Sequence, residues 1–227
     1  EVKGAFIGST EVIFEPKEIN IKNRRINIGT AGSISLLIQT IFPILIFSSR
    51  TSKLEIIGGT SGLGSPNIEY TKYVFLKNLE LMGVKSDLQI LKQGFYPKGG
   101  GVVSILTEPV SELKNINLEK VEEKRRAFGS VIISKISRIF AEKFVFLVRK
   151  MLSNENIDFK ISVENALSQG FSSTIIYEYP SYYAGFDTYY EIGKSEDYFA
   201  NKIVNRIKEY LNSNSCLDKH MACLLYT

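Results

Sequence analysis

Few side chains in this sequence are equipped for chemistry. His220 is the only histidine, and Cys216 and Cys223 are the only cysteines. There is no Walker loop with GK[ST], no HExxH, no GxSxG and no pair of carboxylates at catalytic spacing. Taken alone, His220 reads as an ordinary helix residue rather than a nucleophile. The more unusual feature is Gln39, an amide inside the apolar run Ile34–Phe47. Pro43 follows four residues later and has no N–H to give the Gln39 carbonyl. That pairing reads two ways. Gln39 either finds backbone partners inside a kinked core helix, or it touches a ligand. Gly29-Thr30-Ala31-Gly32-Ser33 opens the run, with Ser33 as its N-cap, so the first turn offers N–H groups that could also meet a phosphate. Gly58-Gly59 and Gly99-Gly100-Gly101 either bring backbone close to an anion or simply turn the chain.

These residues sit on elements that the spacing predicts. With apolar side chains at nearly every position, the helix from Ile34 is expected to be buried on all sides, and it is too short to span a bilayer, which takes roughly 20 residues. Strands are expected at Glu11–Phe14 and Arg24–Ile28, with a loop opening at Pro16, and then at Lys53–Ile57. Pro66 suits the first turn of a helix running to Met82 and stopping at Gly83. Asp87–Leu91 and Val102–Leu106 form a hairpin about the glycine-rich turn at 94–101. The resulting order makes a two-layer α/β unit. Ser111–Arg126 reads as a solvated linker whose Lys124-Arg125-Arg126 run faces water.

A second block follows with a strand at Phe128–Ile136, a helix at Arg138–Leu152 and strands at Asp158–Val163, Ser172–Tyr179 and Tyr182–Ile192. Its interleaved Tyr179, Tyr182, Tyr183, Tyr189 and Tyr190 either pack a sheet or stack on RNA bases. Ser195-Glu196-Asp197 caps a helix to about Leu211, and Leu217–Ala222 starts another.

Composition bounds the rest. The 227 residues suffice for one or two domains, and a formal charge of +4 permits nucleic-acid binding without requiring it. Two cysteines make no disulfide scaffold and no zinc motif. No leader and no membrane span are read, so a cytoplasmic location is expected. A start at Glu1 and an uncapped apolar tail, Leu224-Leu225-Tyr226-Thr227, read as the ends of a fragment.

Taken together, the motifs resemble the RNA 3′-terminal phosphate cyclase family. They are Gly29-Thr30-Ala31-Gly32-Ser33, Leu36-Leu37-Ile38-Gln39-Thr40 with Pro43, Gly58-Gly59-Thr60, and Gly94-Phe95-Tyr96-Pro97-Lys98-Gly99-Gly100-Gly101. Gly4-Ala5-x-x-Gly8-Ser9 with Phe14-x-Pro16 resembles the segment before them. Leu217-Asp218-Lys219-His220-Met221-Ala222 resembles the start of the late D-x-[HY]-L-A-D-Q motif.

The resemblance implies an α/β fold (α+β two-layer repeats) of two-helix, four-stranded units with a small inserted α/β domain. Here that means the end of repeat 1 and repeat 2 at 1–108, the inserted domain at 109–193, and a truncated repeat 3 at 194–227. It implies an enzyme that uses ATP and a divalent metal (Mg or Mn) to convert an RNA 3′-phosphate into a 2′,3′-cyclic phosphate, through an adenylylated histidine and an RNA-adenylate. ATP and RNA ending in a 3′-phosphate are the implied partners. Gln39, His220, Met221 and Ala222 match nucleotide-binding positions, and Pro66 falls in the loop near the adenine. The nucleophilic histidine is expected beyond residue 227 and is not His220, and no metal ligand is expected among the residues present. Cys223 and Leu224 stand where the family has Asp-Gln. That departure leaves an alternative, a non-catalytic relative that binds RNA in ribosomal RNA processing.

Overall fold

The structure, a computed structural model, describes residues 1–17 and 24–225, with the backbone alone for 223–225. Most of the loop expected after Pro16, the side chains of Cys223 and Leu224, and the tail residues Tyr226 and Thr227 therefore lie outside the described residues. The chain begins with a small antiparallel ribbon of β1 (Val2–Lys3) and β2 (Ile13–Phe14).

The first α/β unit holds β3 (Arg24–Asn27), α1 (Ile34–Ile46), β4 (Ser52–Gly58), a helical stretch at 68–81, β5 (Ser86–Lys92) and β6 (Gly101–Thr107). Its sheet order is β3-β4-β6-β5, with β3 and β4 parallel and the other pairs antiparallel. Alternation along the strands turns Leu54, Ile56, Val103 and Ile105 inward. Ile34, Ile38, Phe42 and Leu45 of α1 pack into the same core. Ser33 caps α1 as expected, its Oγ accepting from the Leu36 N–H at 3.2 Å.

Two expectations change here. The helix α1 is not buried on all sides, because Leu36, Ile44 and Phe47 are 44%, 49% and 50% exposed. A helix lying on one face of a single sheet is covered on one side only. The second helix starts at Ile68, after Pro66 and the N-cap position Asn67, and it is not uniform. It runs as α2 (Ile68–Tyr70), a π-helical turn at Thr71–Phe75, and α3 (Leu76–Leu81). Such a turn inserts a residue into the hydrogen-bond ladder and leaves no mark in the hydrophobic pattern.

The second unit holds β7 (Arg126–Ser134), α4 (Arg138–Met151), β8 (Ile157–Val163), β9 (Gly170–Glu178), β10 (Tyr183–Tyr189) and α5 (Glu196–Asn212). The short α6 (Lys219–Leu225) follows. Its sheet order is β10-β9-β7-β8, with only β7 and β8 parallel. Phe144 of α4, Phe171 of β9 and Phe199 of α5 meet in one aromatic core. Packing thus joins α5 to this sheet across the boundary expected at 193. Tyr179 and Tyr182 stack within that core at 4.3 Å and are buried, which favours the sheet-packing reading over stacking on bases.

The basic run is only partly a solvated face: Arg125 and Arg126 are exposed, and Lys124 is half-buried. Lys124 pairs with Glu155 and lies over the Tyr177 ring, and Arg126 starts β7 paired to Glu178 at 2.6 Å. The other face of the second sheet rests on the first unit, where Tyr70, Val74, Ile176 and Met221 form a small core. Strand β9 is consequently buried from Gly170 to Tyr177. Asn78 of α3 clamps the junction, donating to the Tyr183 carbonyl at 2.9 Å and accepting from its N–H at 2.8 Å.

Candidate functional site

The glycine-rich stretches converge at one end of the first sheet. Gly59 N–H donates to the Gly32 carbonyl at 2.8 Å, Ile34 N–H to the Gly59 carbonyl at 3.0 Å, and Thr60 N–H to the Gly94 carbonyl at 2.8 Å. A Cβ on Gly59 would lie 2.2 Å from the Ala31 carbonyl oxygen, and one on Gly94 would lie 2.2 Å from the Gly101 nitrogen. A Cβ on Gly99 would lie 2.8 Å from both the Thr30 carbonyl oxygen and the Ala31 Cα. These glycines therefore let backbone cross backbone. The N–H groups of Gly59 and Thr60 already serve chain carbonyls, so they make no phosphate cradle.

Gln39 lies one turn beyond Ser35 on α1. Its Nε2 is sealed from water and has no hydrogen-bond partner, and the Ser35 Oγ is in the same state. A buried amide donor left unpaired is costly, on the order of 1–3 kcal/mol, so it is a natural place for an acceptor to be supplied from outside the chain. Pro66 is buried at the entry to the second helix.

The late motif joins a polar network between the two units. Asp218 accepts from the Tyr70 hydroxyl at 2.8 Å, from the Gly185 N–H at 2.9 Å, and from the His220 and Met221 N–H groups that begin α6. The His220 ring meets Tyr70 edge-on at 4.9 Å. Its Nε2 lies 3.0 Å from Arg206 Nη2 and 3.1 Å from Asp187 Oδ1. One ring nitrogen can accept from the guanidinium or donate to the carboxylate, not both at once. Asp187 also takes Arg206 Nη1 at 3.0 Å and the Asn67 N–H at 2.7 Å. The Asn67 side chain crosses to the Ser173 and Thr188 carbonyls.

The two aspartates are driven in opposite directions. Burial raises Asp218 from its ordinary value, against the Gly185 and Tyr70 bonds. Burial acts the same way on Asp187, but the His220 bond and the His220 and Arg206 charges outweigh it, and the carboxyl is held low.

A third carboxylate completes the seam. Glu69 Oε1 accepts from Gln93 Nε2 at 2.7 Å, and Gln93 Oε1 accepts from the Thr60 hydroxyl at 2.6 Å. Burial pushes Glu69 up to about 7, against its backbone bond and the Gln93 bond, with the Asp187 charge adding to the rise.

Met221 is buried in the junction core and Ala222 is exposed. The structure thus gathers His220 and Met221 around Tyr70, with Pro66 four residues before that tyrosine. No hydrogen bond or ring contact among the described residues joins Gln39 to the His220 segment. Among the described residues no group of three or more His, Cys, Asp or Glu could hold a metal ion. The sequence reading missed Asn67, Glu69, Asp187 and Arg206. A charged residue in the middle of the buried strand β10 was the one available signal, at Asp187.

Comparison with known proteins points one way. A family model described as RNA 3′-terminal phosphate cyclase matches residues 1–227. A protein of that name from Pyrobaculum aerophilum is 35% identical over 98% of this chain and 65% of its own length. Another, from Archaeoglobus fulgidus, is 34% identical over 98% of the chain and 66% of its own length. A third, from Methanococcoides burtonii, is 49% identical over 48% of the chain and 33% of its own length. The chain thus spans just under two thirds of the first two relatives.

Proposed function

Because the chain belongs to the RNA 3′-terminal phosphate cyclase family, we propose that it serves an ATP-dependent, ligase-type conversion of an RNA 3′-phosphate into a 2′,3′-cyclic phosphate, as a cytoplasmic RNA-processing activity. The observation that carries this reading is similarity over 98% of the chain to proteins named for that activity.

In this reading Gln39 donates its unpaired Nε2 to an acceptor on the nucleotide, which relieves a buried orphan donor. Pro66, Met221 and Ala222 line the nucleotide's apolar surface, and Asp218 sets the start of α6 that carries the last two. His220 is a positioning group. Its Nε2 lies against Arg206 and Asp187 and is taken up by one or the other, which fits poorly with attack on a phosphorus and supports a nucleophilic histidine elsewhere. ATP supplies the adenylyl group that makes a phosphate oxygen a leaving group, after which the neighbouring 2′-hydroxyl is already held for attack. The divalent metal that the resemblance implies finds no group of three or more His, Cys, Asp or Glu to hold it among the described residues.

Titration with a fluorescent ATP analogue tests the reading. Gln39→Ala should weaken binding roughly 5- to 10-fold, the effect of one lost hydrogen bond. Acid-labile label from α-labelled ATP appearing on His220 would overturn the assignment. So would nucleotide binding indifferent to Gln39→Ala.

A further inference from the structure

A cavity of about 350 Å³ opens at the seam between the units, with the 69–73 helical turn and β5 on one side and β7 and β8 on the other. Glu69, Lys72, Lys92, Ser130, Lys160 and Ser162 face it. It is separate from the His220 network. Adjacent residues of one helical turn serve the two, Tyr70 the network and Glu69 the cavity.

Several of its polar groups have no partner among the described residues. Glu69 is 3% exposed, and its Oε2 has no hydrogen-bond partner. The Oε1 of the same carboxylate is held by Gln93, which Thr60 orients in turn, so the family-like Gly58-Gly59-Thr60 stretch aims Glu69. Lys92 and Lys160 have no carboxylate or hydrogen-bond partner among the described residues, and neither do the hydroxyls of Ser130 and Ser162. Lys72 lies over the Tyr73 ring at 5.3 Å. Three lysines thus face two acids, Glu69 and Glu164, which leaves the cavity positive.

Building on the RNA reading above, we propose that this cavity binds a ribose-phosphate unit of an RNA strand, with Lys92 and Lys160 on the phosphate and Glu69 on a sugar hydroxyl. A phosphate alone would meet the lysines and leave Glu69 without a partner. A hydroxyl both donates and accepts, so it suits the free Glu69 oxygen in either protonation state. That matters for a carboxyl that burial holds near neutrality. The volume lies at the lower end of small-ligand sites, roughly 300–1,000 Å³.

Fluorescence anisotropy on this chain tests the proposal, using a short labelled RNA with a 3′-phosphate and DNA of the same sequence. RNA should bind more tightly than DNA, and Glu69→Gln should abolish that preference. The double variant Lys92→Ala/Lys160→Ala should weaken binding of both strands about tenfold or more, and should flatten the salt slope by about 1.4, from two lost single-strand phosphate contacts. Both lysines are exposed, so this variant decides the matter even if Glu69→Gln fails to fold. Equal binding of RNA and DNA by the parent chain would overturn the role of Glu69. Unchanged affinity and slope in the lysine variant would overturn the site and leave the cyclase reading standing. No binding of either strand by the parent would overturn both.

Discussion

The two α/β units have the same inventory of strands and use it differently. Each sheet has four strands, one parallel pair and two antiparallel pairs. In the first, the β-α-β step runs inward from the edge strand β3 to β4. In the second it runs outward, from β7 to the edge strand β8. The second unit then closes on itself. Two helices cover one face, and Phe140, Phe144, Phe171 and Phe199 fill the space between them and the sheet. The first unit spends glycines where the second spends aromatics. Its loops cross at van der Waals contact, and the chain leaving that crossing carries Pro66, Asn67, Glu69 and Tyr70 to the seam. One unit is a packed platform, and the other delivers polar groups against it.

That contrast can be broken by substitution. Phe171 is fully buried among three other rings, so Phe171→Ala should have the largest effect. About 3–5 kcal/mol should be lost, visible as a lower denaturant midpoint, and a loss below 1 kcal/mol would deny the second unit its role as platform.

Next comes Glu69, whose folded-state pKa of about 7 lies above its ordinary value of 4.5. Between those values the folded chain binds more protons than the unfolded one, so Glu69 lowers stability as pH rises through this window. The drop should approach about 3 kcal/mol by pH 8. Thermal melts of Glu69→Gln should lose that dependence, and a parallel decline in the variant would contradict the burial of this carboxyl.

The smallest of the three is Gly59→Ala. A methyl there meets the Ala31 carbonyl at 2.2 Å, and moving backbone aside should cost roughly 1–3 kcal/mol. A neutral outcome would mean that the loop crossing yields without cost.

Much of the local structure was legible in the residues. Strand alternation, the Ser33 cap and the stop at Gly83 depend on neighbours a few positions away, and each is found. The exposure of Leu36, Ile44 and Phe47 was not legible, because an apolar helix face carries no sign of whether anything will cover it. Nor was the π-turn, which changes hydrogen-bond spacing without changing residue type.

For the candidate site, the sequence by itself supplied the family motifs and the anomaly of Gln39. The tertiary structure alone decided that the glycines serve chain crossing and that Asn67 meets Asp187 across 120 residues. It alone set Asp187 and Asp218 titrating in opposite directions and left Glu69 half-satisfied beside unpaired lysines. The reason is physical. A carboxylate's charge, pKa and free lone pairs depend on what remote segments bring within a few ångströms, and residue order along the chain does not encode that distance.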